Sequence, residues 1–95
     1  MNYSTVLIDA VKEKLNLPSD NQAAKAIGIE RTFLSNIRAG RRNLPPEQIV
    51  IAAELAGIDP GIALLRRYKE TIDDFKVRAH LEKIEEEIQG LKDAS

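Results

Sequence analysis

Along this chain, hydrophobic residues return every three or four positions, the period of a helix face, and every element the pattern predicts is helical. Val6, Leu7, Ala10, Val11 and Lys14/Leu15 mark one face of a first helix, α1, over residues 4–15. Pro18 ends the connection. Ser19 followed three positions later by Gln22 predicts a capping box, in which the serine hydroxyl accepts from the Gln22 amide and the Gln22 side chain returns to the Ser19 amide. That box opens α2, residues 20–27. Gly28 stands where a left-handed residue is wanted, and Glu30 is placed to cap, or to meet the positive dipole end of, a third helix. This helix, α3, covers residue 31 to about 39 and stops at Gly40.

Pro45-Pro46 predicts the start of α4, residues 46–56, because a proline in the first turn gives up a donor that has no partner there anyway. Its Ile49, Val50, Ile51, Ala52, Ala53, Leu55 and Ala56 are apolar on nearly all sides, which predicts a buried central helix closed by Gly57. Asp59-Pro60 repeats the cap-plus-proline signal and starts α5, residues 60–68, through Ile62, Leu64, Leu65 and Tyr68. Val77, Leu81, Ile84, Ile88 and Leu91 then recur at 4, 3, 4, 3, a heptad seam on α6, about residues 74–91.

Ninety-five residues, 43% of them hydrophobic, supply one modest core and no membrane-crossing stretch. The first residues carry charges within the helical pattern and no small-residue cleavage site, so they read as α1 and not as a signal peptide, and a cytoplasmic protein is expected. No cysteine is present, which removes disulfides and thiolate chemistry, and His80 lies among lysines and glutamates as a solvated residue. Nothing pairs a nucleophile with a base or sets ligands at metal spacing, and Glu85, Glu86 and Glu87 are consecutive and so point different ways around a helix. No enzyme activity, cofactor or metal is expected.

The net charge of −1 hides an uneven distribution. Residues 1–70 hold ten basic against eight acidic side chains, a balance of +2, and residues 71–95 hold four against seven, −3. Between residues 31 and 46 there are four arginines, Arg31, Arg38, Arg41 and Arg42, and no acid, which makes a local patch suited to a polyanion. Residues 20–40, which overlap this patch, read as two short helices joined by a turn that begins with glycine, with small Ala24 allowing close approach and Ile27, Ile29, Leu34 and Ile37 lining the inside of the corner. The outside of α3 shows Arg31, Thr32, Ser35 and Asn36. These are base-reading types: arginine forks onto guanine O6 and N7, asparagine onto adenine N6 and N7, and the hydroxyls adapt to either. Phe33 fits either the core or the outer rim, and Arg66 and Arg67 read as a solvated face.

From α1 to Tyr68 the chain resembles the lambda-repressor and Cro-like, or Xre, helix-turn-helix family, on the spacing of Ala24, Gly28, Ile29, Leu34, Ile37 and Gly40. Its length, arginine-rich turn and Asp59-Pro60-Gly61 are similar to small prophage and filamentous-phage repressors. The resemblance implies an all-α, five-helix DNA-binding bundle over residues 1–70, with the acidic helix of residues 71–95 added for dimerisation or packing. It further implies a transcriptional repressor that binds a double-stranded operator as a homodimer, with α3 in the major groove. Arg31, Thr32, Ser35 and Asn36 fall at its base-reading positions, and Arg41, Arg42 and Asn43 in its phosphate-gripping loop. Two departures stand out. Asp20 occupies a position that is commonly glutamine; an aspartate there would orient Arg31 and leave phosphate contact to Asn21, Gln22 and backbone amides. Arg38 stands where many members of the family carry a glutamate paired with a basic residue of the first helix, and the resemblance therefore implies an exchanged ion pair with Glu13 or Asp9 on α1. For the seam of Val77, Leu81, Ile84, Ile88 and Leu91, dimerisation and packing on its own domain stay open. The functional alternative is an antitoxin or another protein-interaction module on the same fold, with a protein partner held by α6.

Overall fold

The computed structural model describes residues 2–94, which form six helices: α1 Tyr3–Leu15, α2 Asp20–Ile27, α3 Arg31–Arg38, α4 Pro46–Ala56, α5 Pro60–Lys69 and α6 Phe75–Ala94. Four of their starts are set by short-range side-chain caps. The Asn2 side chain accepts from the Thr5 amide at 2.8 Å, Ser19 from Gln22 at 3.2 Å, Asp59 from Ile62 at 3.0 Å and Asp74 from Val77 at 3.0 Å. The Ser19 box is therefore half formed, since the return bond from the Gln22 side chain is absent among the described residues. Glu30 makes no side-chain cap, so only its charge serves the start of α3.

Four connections use one stop device. Asn16, Gly28, Gly40 and Gly57 adopt left-handed backbone, and the next amide donates five residues back: Leu17 to Lys12, Ile29 to Ala24, Arg41 to Asn36 and Ile58 to Ala53, at 2.8 to 2.9 Å. Gly28, at φ 88°, turns the chain between α2 and α3; a Cβ there would meet no neighbour, so backbone strain alone demands glycine.

The core draws on the first five helices and on Leu44 in the α3–α4 connection. On α1 the buried face is Ser4, Leu7, Ile8 and Val11, one position round from the expected stripe, and Val6 and Leu15 are exposed. α4 packs against α1, α2 and α5 and is central, but Ile49, Ala52 and Ala53 alone are fully buried and Ile51 faces water. Its all-round apolar sequence overstated its burial, because only one side of it meets the other helices. Alanines at 23, 24, 52 and 53 are buried and let the backbones approach closely. Phe33 is half-buried and packs on this core.

α6 differs from the rest. It packs along α5, starts one residue later and runs three residues further than expected, and has no fully buried residue. Leu81, Glu85 and Ile88 form its half-buried face. Glu85 accepts from Arg66 Nε at 2.8 Å and from Lys69 Nζ at 3.5 Å, and Lys92 pairs with Asp59 at 2.9 Å. Arg66, expected on a solvated face, thus pins α6 to α5 while its guanidinium lies 5.9 Å from the centre of the Tyr3 ring. The heptad seam is consequently divided. Leu81 and Ile88 turn towards α5, while Val77, Ile84 and Leu91 stay 43%, 44% and 74% exposed. No helix among the described residues is long and apolar enough to cross a membrane.

Candidate nucleic-acid interface

Leu34 and Ile37 anchor α3 in the core, which fixes the direction of its opposite side. Arg31, Thr32 and Ser35 are exposed there, and Asn36 is half-buried beside them. α3 makes its helix contacts with α1 and α2 only, so its outer side is unobstructed by α4, α5 or α6. Asn36 Oδ1 accepts from Arg41 Nη1 at 3.4 Å, a bond that ties the end of α3 to the basic turn. Arg41 and Arg42 are exposed, as are Asn21 and Gln22 at the start of α2. The Gln22 amide is already taken by Ser19, so only its side chain is available to an external oxygen.

Asp20 has a different role from the one its position suggested. Its carboxylate is gripped by Arg38, Nε to Oδ2 at 3.1 Å and Nη2 to Oδ1 at 2.9 Å, and by Lys12 Nζ at 3.1 Å. Arg38 Nη2 also reaches Asp9 Oδ1 at 2.7 Å. The expected orienting bond to Arg31 is absent among the described residues; both carboxylate oxygens are occupied by Arg38, and one of them by Lys12 as well. The exchanged pair between Arg38 and Asp9 is present, and Asp20 belongs to the same network. The Arg38 hydrogen bonds, reinforced by Lys12, lower the Asp20 pKa from 3.8 to about 2, and the two aspartates hold Arg38 firmly protonated. One cluster of four charges therefore joins α1, α2 and α3, and its bidentate arginine–carboxylate contact sets both distance and angle.

The basic turn has its own anchor. Ser4 on α1 is the one fully buried polar side chain among the described residues; its hydroxyl accepts from the Leu44 amide at 3.0 Å and donates to Asn43 Oδ1 at 3.5 Å. Asn43 is half-buried, with its oxygen turned inwards to Ser4, which leaves only its amide group for an outside anion. Ser4 had no signal in the sequence beyond its place on the buried face, because its partners lie 39 and 40 residues away. Val77, Leu81, Ile84, Ile88 and Leu91 lie on α6, which makes no helix contact with α3.

Neither a family profile, nor a curated protein, nor a solved structure matches the chain.

Proposed function

We propose that this chain is a sequence-specific DNA-binding transcriptional regulator of the lambda-repressor-like kind, a phage-type repressor that binds its operator as a homodimer in the cytoplasm. The observation that carries the reading is the outer side of α3: Arg31, Thr32, Ser35 and Asn36 share it, none is fully buried, and it runs into the exposed Arg41 and Arg42. An eight-residue helix anchored in the core by Leu34 and Ile37 and tied to α2 by the Asp20–Arg38 contact presents such side chains at a fixed angle. Laid in a major groove, Arg31 donates to guanine O6 and N7, Asn36 pairs with adenine, and Thr32 and Ser35 adjust to their neighbours. Arg41, Arg42, Asn43, Asn21 and Gln22 meet phosphate oxygens, which sets register and supplies affinity without regard to sequence.

The test begins by sequencing the DNA fragments retained by the protein from a random pool. On the selected site, Arg31→Ala is expected to cost about 1–3 kcal/mol and to relax preference at one base pair per half-site. Arg41→Ala or Arg42→Ala is expected to weaken all DNA alike and to lower the slope of log K against log salt by about one unit. No enriched site, or a change of preferred sequence in the turn variants but not in Arg31→Ala, would overturn the reading.

A further inference from the structure

Val77, Ile84 and Leu91 recur at seven-residue intervals, so they line one straight edge of α6, about 21 Å long at 1.5 Å per residue. On the side of that edge away from α5 lie Lys83 and Glu87, four positions apart, both exposed and neither with an ion-pair partner among the described residues. The charges of the helix are also segregated along its length. Residues 75–84 hold Lys76, Arg78 and Lys83 against Glu82, a balance of +2; residues 85–94 hold Glu85, Glu86, Glu87 and Asp93 against Lys92, −3.

We infer that this edge pairs, antiparallel, with the same edge of a second copy of the chain, with Ile84 lying opposite its own counterpart at the two-fold axis. An isologous contact brings like surface to like surface, so its direction is decided by which alignment the charges accept. Running antiparallel, the +2 half of each helix lies along the −3 half of the other and the helix dipoles oppose. Parallel, +2 meets +2 and −3 meets −3. The antiparallel two-fold also keeps each lateral side on its own side. Lys83 of one copy therefore comes beside Glu87 of the other, twice, while Val77 meets Leu91 at both ends. This deepens the dimeric reading above and is tested without DNA, so a failure here leaves the assignment of α3 standing and a failure there leaves this contact standing.

The absence of cysteine makes single cysteine substitutions unambiguous probes. Under mild oxidation, Ile84→Cys should give a disulfide-linked dimer as its main product, since residues opposed at a two-fold axis reach disulfide distance. Val77→Cys and Leu91→Cys should stay largely unlinked alone and link to each other when mixed. Lys83→Glu and Glu87→Lys should each raise the monomer–dimer midpoint about three- to tenfold in sedimentation, and the double exchange should restore it. Circular dichroism of each variant establishes that α6 stays helical. Self-linking of Val77→Cys and of Leu91→Cys would overturn the direction. A helical α6 in a monomeric protein would overturn the contact and give the edge to a different protein partner. A dimer unlinked at all three positions would place self-association elsewhere, as on the groove lined by Leu44, Ile49, Leu64 and Tyr68 beside α5.

Discussion

The α2–α3 corner and α6 are both amphipathic, yet they are held in different ways. The corner buries Ala23, Ala24, Ile27, Leu34 and Ile37, closes its turn with a left-handed glycine, and adds one charge cluster on top of that packing. α6 buries nothing fully and rests on Leu81, Ile88 and the ion pairs of Glu85 and Lys92. Apolar burial is not screened by salt and is forfeited only with the core, whereas exposed ion pairs contribute little each and are screened. The first arrangement suits a surface that must keep its shape. The second suits one whose position depends on what else binds it.

The comparison breaks most visibly in the core. Ile37→Ala should cost about 2–5 kcal/mol in urea unfolding, because it leaves a cavity where α3 meets the rest of the bundle. Ile84→Ala in dilute protein should stay within about 0.5 kcal/mol, as an exposed substitution does. Similar costs at the two positions would mean that α6 shares the core.

A smaller effect is expected at the charge cluster. Asp20→Asn should destabilise by about 1 kcal/mol, a charged hydrogen-bond contribution discounted for partial exposure. Its pH signature is more telling. With the Asp20 carboxyl held at about 2 in the folded chain against 3.8 ordinarily, the unfolded chain binds more protons between those values. This part of the stability is intact above pH about 4 and is lost as the pH falls towards 2, and the asparagine variant should lack that acid limb in thermal unfolding. On the DNA-binding reading proposed above, selective loss of discrimination at the base assigned to Arg31 in the same variant would restore the orienting role that the hydrogen bonds deny.

The smallest effect is Glu85→Gln. It should change global stability by about 0.5 kcal/mol or less while accelerating amide exchange throughout α6, and added salt should mimic it in the native chain. Unchanged exchange would show that Leu81 and Ile88 suffice to hold the helix.

Helix boundaries were legible because their causes are local: Ser19 and Gln22, Gly28, Pro46 and Asp59 act within a few residues of themselves, and α2 and α4 begin and end where those residues predict. The exposed set Arg31, Thr32 and Ser35 was legible because Leu34 and Ile37 fix the opposite face. What could not be read was which distant group a polar side chain would choose. Asp20 had Arg31, Arg38 and Lys12 within reach of some plausible corner, and only the packing of α1 against α2 and α3 decides for the last two. Arg66 is exposed, as it reads in the sequence, but its pairing with Glu85 was not legible, because that partner lies 19 residues on in a helix whose docking side the 4, 3, 4, 3 spacing leaves undetermined. The same ambiguity concealed the division of the α6 seam.

The exposure of Arg31, Thr32 and Ser35 has an evolutionary consequence. Substitutions at exposed positions away from caps and ion pairs fall within about ±0.5 kcal/mol of neutral for folding. None of the three carries a cap or ion pair among the described residues, and all lie off the core. Mutations can therefore explore the outer side of α3 almost without penalty to the scaffold, as long as Leu34, Ile37 and Arg38 stay. A lineage built on this chain can change what the outer side of α3 displays while inheriting its fold unchanged; on the DNA-binding reading proposed above, its rate of divergence is set by selection on the contacts of α3 and not by the stability of what holds it.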